Sequence, residues 1–312
     1  MKVKLFVSHR IDQQNIVLKN DILTPVYCGA VYKKDKWQPE LIGDNTGDNI
    51  SEKRMSYCEL TVQYWAWKNV EADYYGLCHY RRYLAFGNQD GWRNEQNQIY
   101  LPTLSKKSIE KYKFSDNLLI KTFCKQYDAI FPEAANVINI TVMGKKPKTV
   151  LELWKAHEKN FFDIGVLEIL LRTIQEVQPE YYDIAIKYLK SDKHRGYNCY
   201  LMSRHFFVNL CQFQFTILNK LEERIPEEAL ENYPRTIGYM GEILFGIYQH
   251  YITTKKSRII NIPLVLLENT NLKFNCLEIL SSWNMYYAKK IAMKYLPRKI
   301  IISLKKIYHI IK

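Results

Sequence analysis

The chain lacks the signatures of the commonest enzyme classes. Its seven cysteines (Cys28, Cys58, Cys78, Cys124, Cys199, Cys211 and Cys276) are odd in number and scattered, with no C-x-x-C pair. That pattern argues against a disulfide framework and a zinc site, and fits a reducing cytosol. P-loop, G-x-G-x-x-G, G-x-S-x-G and H-E-x-x-H motifs are all missing, which disfavours kinases, dinucleotide dehydrogenases, common serine hydrolases and zincins. No uninterrupted apolar run is long enough to cross a bilayer. The N-terminus opens on Lys2-Val3-Lys4-Leu5-Phe6-Val7 with no signal-peptide pattern, so the expectation is a soluble or peripheral protein. Without internal repeats or low-complexity linkers, the reading is one catalytic domain followed by a tail.

What is present is ordinary globular composition over 312 residues, with 24 tyrosines among the aromatics. Tyrosine pairs a flat apolar face with a hydroxyl and suits sugar and nucleotide surfaces; AT-rich codon usage would enrich it equally. Strands are expected at residues 3–8, 26–31, 74–78, 127–131, 197–202 and 259–267. A helix is expected after Ser56-x-x-Glu59, which matches a capping box, and helical periodicity runs through residues 149–189, past Phe206 to Leu221, and over 238–251. Strands alternating with helices predict an α/β architecture on a mainly parallel sheet.

Three constellations carry chemistry. His79-Tyr80-Arg81-Arg82-Tyr83 follows a predicted strand, where open α/β sheets gather ligands. Its arginines would hold a diphosphate through bidentate hydrogen bonds, or form a structural ion pair and a solvated neighbour. Asp44, Asp48 and Asn49 sit in a Gly-containing loop, either to bind sugar hydroxyls or a cation or to make turns. On a helix, Gly238, Glu242 and Gly246 share one face; the glycines leave a groove around a carboxylate, or serve close packing.

The tail is the clearest amphipathic signal. From Trp283 to Lys312 there are eight Lys and Arg and no Asp or Glu, leaving +5 of the net +13 for the rest of the chain. Beyond Pro297, Ile300, Ile301, Leu304, Ile307, Tyr308 and Ile311 oppose Arg298, Lys299, Lys305, Lys306 and Lys312. A basic amphipathic helix of this kind lies on an anionic membrane, or covers the domain or a second copy. Nucleic acid is not expected, because no recognised motif accompanies the charge.

The runs Gly47-Asp48-Asn49-Ile50-Ser51, Tyr64-Trp65-Ala66-Trp67 and Asp73-Tyr74-Tyr75-Gly76-Leu77-Cys78-His79-Tyr80-Arg81-Arg82-Tyr83, with Arg195-Gly196-Tyr197-Asn198 and Tyr239-Met240-Gly241-Glu242, resemble a bacterial family long catalogued as a domain of unknown function. That family sits in capsule, exopolysaccharide and O-antigen gene clusters, and some members are assigned as galactofuranosyltransferases. The resemblance implies a GT-A-like glycosyltransferase over residues 1–275, with a donor half to about 135 and an acceptor half to 275, then the tail 276–312. It implies a nucleotide-sugar donor, UDP-linked and a candidate UDP-galactofuranose, and a lipid-linked glycan acceptor at the inner face of the cell membrane. The implied donor set is Ser8, His9, Asp44, Asp48, Asn49, Tyr57, Arg81 and Arg82; the acceptor set is Asn198, Tyr200 and Arg235. Glu242 would be the base of an inverting transfer, and His79 a further catalytic residue. The Asp-x-Asp that holds a divalent metal in that fold is missing after Leu77-Cys78, so the arginines are expected to replace the metal and no metal ligand is named. Rival readings are a non-catalytic carbohydrate- or nucleotide-binding assembly protein, and a phosphosugar transferase releasing UMP.

Overall fold

A computed structural model of the chain describes residues 1–34 and 38–271, with positions 287, 288, 291 and 300 beyond them. The expected tail helix, including Arg298, Lys299, Lys305 and Lys306, lies outside the described residues.

The strands are β1 (Val3–His9), β2 (Leu23–Tyr27), β3 (Ile42–Gly43), β4 (Tyr74–His79), β5 (Arg82–Leu84), β6 (Ile99–Thr103), β7 (Ala129–Pro132), β8 (Ala135–Asn136), β9 (Lys193–His194), β10 (Tyr200–Ser203), β11 (Ile259–Ile262) and β12 (Leu264–Asn269). The helices are α1 (Arg54–Tyr57), α2 (Leu60–Asn69), α3 (Lys106–Tyr112), α4 (Asn117–Gln126), α5 (Val150–Lys155), α6 (Val166–Val177), α7 (Tyr182–Lys190), α8 (Arg204–Glu222), α9 (Glu227–Asn232) and α10 (Thr236–Thr253). Ten strands form one sheet whose main path runs β11-β7-β10-β4-β1-β2-β3, with β5, β6 and β12 attached beside it. β1 pairs in parallel with both β2 and β4, whereas β10 runs antiparallel to β4 and β7. The expected α/β class with a mainly parallel sheet flanked by helices therefore holds, with one reversed strand at the centre of its main path.

Alternation explains why the sheet is buried on both faces. Leu5 and Val7 of β1 join one apolar core with Cys78, Leu201 and the rings of α3 and α4, while Phe6, Leu77, Tyr200 and Met202 face the other, beneath α2, α8 and α10. The β-rich segment 259–267 is two strands, because Pro263 has no N–H to continue a ladder; β11 joins β7 and β12 turns to β5 and β6. Two local expectations fail. The extended segment 26–31 stops at Tyr27, where Gly29 turns the chain into a 3-10 helix at Ala30–Tyr32. The capping box also fails. Cys58 adopts φ 52 and ψ −133, which ends α1 and strands Ser56 inside it, and Glu59 at the start of α2 makes no side-chain cap.

The reversed strand decides where the site forms. Tyr200 pairs with Leu77 and Ser203 with Tyr74, so β10 begins where β4 ends. The loop before β10 and the carboxyl ends of β1 and β4 thus share one edge of the sheet. A two-stranded ladder of β8 with β9 closes the excursion that carries α5 to α7 just before that loop.

A candidate active site at the strand ends

The ledge begins with His9 and His79, at the ends of β1 and β4. His9 is 1% exposed and both its ring nitrogens are buried without a hydrogen-bond partner; so is Nδ1 of His79. Burial lowers the His9 pKa to about 3. His79 is driven well below the usual histidine range by burial, then by the Arg82 and Arg81 charges. Both imidazoles are therefore neutral, each offering one donor and one acceptor. Arg81 and Arg82 follow across the turn into β5, and their Nε atoms are buried without partners. Among the described residues neither forms a salt bridge with a carboxylate. The Arg82 guanidinium lies 5.2 Å from the Tyr197 ring and that of Arg81 6.0 Å from Tyr80, stacking that orients each fork.

Facing this ledge is α10. Arg235, Tyr239 and Glu242 follow one another at spacings of four and three, on one side of the helix. Arg235 sits 5.2 Å over the Tyr239 ring, and its Nε donates to Cys58 Sγ at 3.3 Å. Glu242 is half-buried, and burial pushes its pKa up to about 7, assisted by the Glu59 charge and opposed by Arg82, Arg235 and the Tyr197 backbone amide. The flanking glycines serve packing: a Cβ on Gly238 would stand 3.1 Å from Cys58 Sγ, and one on Gly246 2.5 Å from the Arg195 carbonyl. Gly196 keeps the far side open, since a Cβ there would lie 2.8 Å from the His194 ring and 3.6 Å from Glu242 Oε2.

Of the residues expected from sequence, His9, His79, Arg81, Arg82, Asn198, Arg235 and Glu242 come to this edge. Ser8, 3% exposed, pairs with Val26 and His79 within the sheet just behind it. The others go elsewhere, which corrects their assignment. Asp44 is fully buried and accepts four hydrogen bonds, from Gly29 N and Ala30 N at 2.9 Å and from the Ser51 and Thr61 hydroxyls at 2.5 Å, so its oxygens have nothing left for a ligand. Asp48 binds the last turn of α2 through Tyr64 and Asn69, about 15 Å along the helix axis from Glu59. Asn49 closes a local turn, donating to the Gly47 carbonyl and accepting from Ser51 N. Tyr57 is fully buried and donates to Glu222 at 2.9 Å. Tyr200 points into the helix-side core, 5.1 Å from the Phe245 ring.

Two residues escaped the sequence reading. Glu59 accepts a 2.9 Å hydrogen bond from Asn198 Nδ2 and neighbours Glu242. Tyr197 supplies the ring under Arg82 and the amide facing Glu242. The Gly196-Tyr197-Asn198 run was the available clue, because glycine and asparagine mark unusual backbone.

The strand end carries two guanidinium groups and two imidazoles, with the Glu59 and Glu242 carboxyl groups across from them. Among the described residues no three His, Cys, Asp or Glu side chains gather as a metal site.

Residues 4–255 match the family described as Domain of unknown function (DUF4422). No curated protein matches the chain. A solved apo structure of the WbbM bifunctional glycosyltransferase has the same fold, with a TM-score of 0.76 at 24% identity, over 88% of this chain. The match spans 48% of that protein, so this chain corresponds to about half of it.

Proposed function

The chain belongs to the DUF4422 family, and we propose that it is a glycosyltransferase using a nucleotide-sugar donor, with Glu242 as the base of an inverting transfer. One observation carries this reading: a carboxyl group with a pKa pushed up to about 7 lies within reach of the Arg82 and Arg235 charges, which also act on the neutral His79 at the strand end. A base titrating near neutral pH matches the demand of proton removal from a sugar hydroxyl. The likeness of fold to the WbbM bifunctional glycosyltransferase supports the same class.

In the proposed step the acceptor O–H bond breaks toward Glu242 while its oxygen bonds to the anomeric carbon of the donor. The bond from that carbon to the diphosphate breaks on the opposite face, and the nucleoside diphosphate departs. Arg81 and Arg82 meet the charge that grows on it, and His9 and His79, being neutral, donate N–H groups to its oxygens. Arg235, exposed at the start of α10, orients the acceptor on the Glu242 side.

UDP is the proposed carrier, galactofuranose a candidate sugar, and a lipid-linked glycan of a surface polysaccharide the proposed acceptor. Membrane contact is assigned to the tail, whose eight cations from Trp283 to Lys312 would seek anionic lipid from the cytoplasmic side. Among the described residues no helix is long and apolar enough to cross a membrane.

The test is incubation of the purified chain with a panel of UDP-sugars in EDTA, reading UDP release and thermal stabilisation. Stabilisation by one UDP-sugar together with UDP release supports the reading. Activity that requires manganese would retain the enzyme and remove the arginines from the metal's place.

A further inference from the structure

An unbroken run of ring contacts passes beside Glu242. It starts at Arg82, whose guanidinium lies 5.2 Å from the Tyr197 ring, and goes from Tyr197 to His194 at 5.4 Å. It continues from His194 to Trp154 at 5.8 Å, then from Trp154 to Tyr239 at 6.5 Å, and ends where Arg235 sits over Tyr239. The collar thus joins the arginine of the strand-end ledge to the arginine of α10, with Glu242 one turn beyond Tyr239 on the same side of that helix. Outside it, Phe161 stacks on Tyr239 at 4.3 Å and His157 on Phe161 at 4.2 Å, both pairs 7° from parallel, which fixes the Tyr239 ring. Trp154 comes from α5, inside the excursion, and His194 from β9, which closes it.

The collar holds hydrogen-bonding capacity that the protein does not use. Trp154, His194 and Tyr197 are 4, 5 and 9% exposed, and Trp154 Nε1, His194 Nδ1 and the Tyr197 hydroxyl have no partner. Buried polar groups are normally paired, so three unpaired ones in successive members of one run point to a ligand. His194 stands nearest the base. A Cβ on Gly196 would lie 2.8 Å from His194 Nε2 and 3.6 Å from Glu242 Oε2, so the imidazole edge and the carboxyl group flank the one bare side of that glycine. Burial keeps the imidazole neutral, its pKa lowered to about 4. With no partner at Nδ1 to fix the proton, Nε2 can serve as donor or acceptor.

A sugar suits such a place, with C–H faces for the rings and a rim of hydroxyls for the polar atoms. Two neighbouring hydroxyls of one sugar, each at ordinary hydrogen-bond length, span the interval from Glu242 Oε2 to His194 Nε2. We propose that the collar is the acceptor subsite, and that His194 Nε2 binds the hydroxyl adjacent to the one that Glu242 deprotonates. The acceptor is then a sugar with a vicinal diol where it is glycosylated. This role rests on Glu242 being the base of the transfer.

The experiment uses the full chain with ¹⁵N-labelled histidine, the His194 signals being assigned by their loss in His194→Asn. The probes are octyl galactosides, glucosides and mannosides with their monodeoxy analogues, and transfer is followed with the UDP-sugar that the chain turns over. One glycoside should shift the His194 Nε2 signal and accept the sugar. Its analogue lacking the hydroxyl next to the glycosylated one should leave the signal in place. His194→Ala should raise the KM for that glycoside about tenfold, the worth of one hydrogen bond, with affinity for the UDP-sugar unchanged. His194→Gln, whose amide reaches the same point, should recover most of the loss, and the deoxy analogue should bind parent and His194→Ala alike. A His194 signal that no glycoside moves, deoxy analogues that bind as well as the intact glycoside, or equal losses of donor and acceptor affinity overturn the proposal. A glycoside that moves the signal in a protein that transfers no sugar upholds the subsite and removes the glycosyl-transfer reading instead.

Discussion

Asp44 and Glu242 are two carboxylates withdrawn from solvent, and the chain treats them in opposite ways. Asp44 receives four short hydrogen bonds that tie β2, the turn after it and α2 together. Glu242 receives a backbone amide, two arginines at a distance and a second carboxylate. Satisfied charge builds structure; under-satisfied charge keeps a proton in play. Polarity and burial alone would rank Asp44 as the better site residue, and the donor inventory reverses that order.

Substitutions sharpen the contrast. Glu242→Gln is expected to cut transfer about 10²–10⁴-fold with the urea midpoint no lower than the parent's, read by UDP release and circular dichroism. A loss of fold with the activity would make Glu242 another Asp44. Asp44→Ala should do the reverse, costing about 3 kcal/mol or more in urea unfolding, because two buried amides and two hydroxyls lose their acceptor. Arg82→Ala should weaken UDP-sugar binding about 10–100-fold by calorimetry, the worth of one charge-assisted hydrogen bond. Turnover should rise with pH through about 7, since the base works deprotonated and the raised Glu242 pKa leaves it protonated below that point. Each unit below the midpoint then costs about tenfold. Asp48→Ala, exposed at the far end of α2, should change stability by about 0.5 kcal/mol or less and leave turnover alone.

The sequence shows long and strongly patterned pieces best. β1, β4, α8 and α10 were all legible, because apolar runs and helical periodicity extend over many residues. β5, β6 and α3 were missed, being short, and α4 was missed although it is amphipathic. The direction of β10 was invisible, since alternation is the same read either way. The Arg81–Arg82 cluster and Glu242 were found from residue type and local spacing. Glu59 was hidden by a motif it does not use: S-x-x-E signals a cap only where the chain enters a helix at the serine. Here Cys58 breaks the backbone where Gly238 of α10 packs against it, a contact between residues 180 positions apart. Tyr57 was misassigned for a related reason, because its partner Glu222 lies 165 positions away, and Asp44 because the turn and hydroxyls that take up its oxygens are not marked by any motif.

The ladder of β8 with β9 makes the molecule modular. It pinches residues 137–192 into an excursion whose two ends meet at a fixed point, immediately before the loop that grips Glu59 and Glu242. Length changed in the loops of the excursion is absorbed above the pinch, whereas α7 is tied to the loop below it, the Tyr188 hydroxyl accepting from Arg195 N and donating to the Arg195 carbonyl at 3.0 Å each. The histidine and arginine ledge comes from residues 9–82 and never passes through it. One part of the fold can therefore diverge in shape and selectivity while the reacting groups keep their places, which is the arrangement a scaffold needs if selection is to alter what it accepts without rebuilding how it reacts.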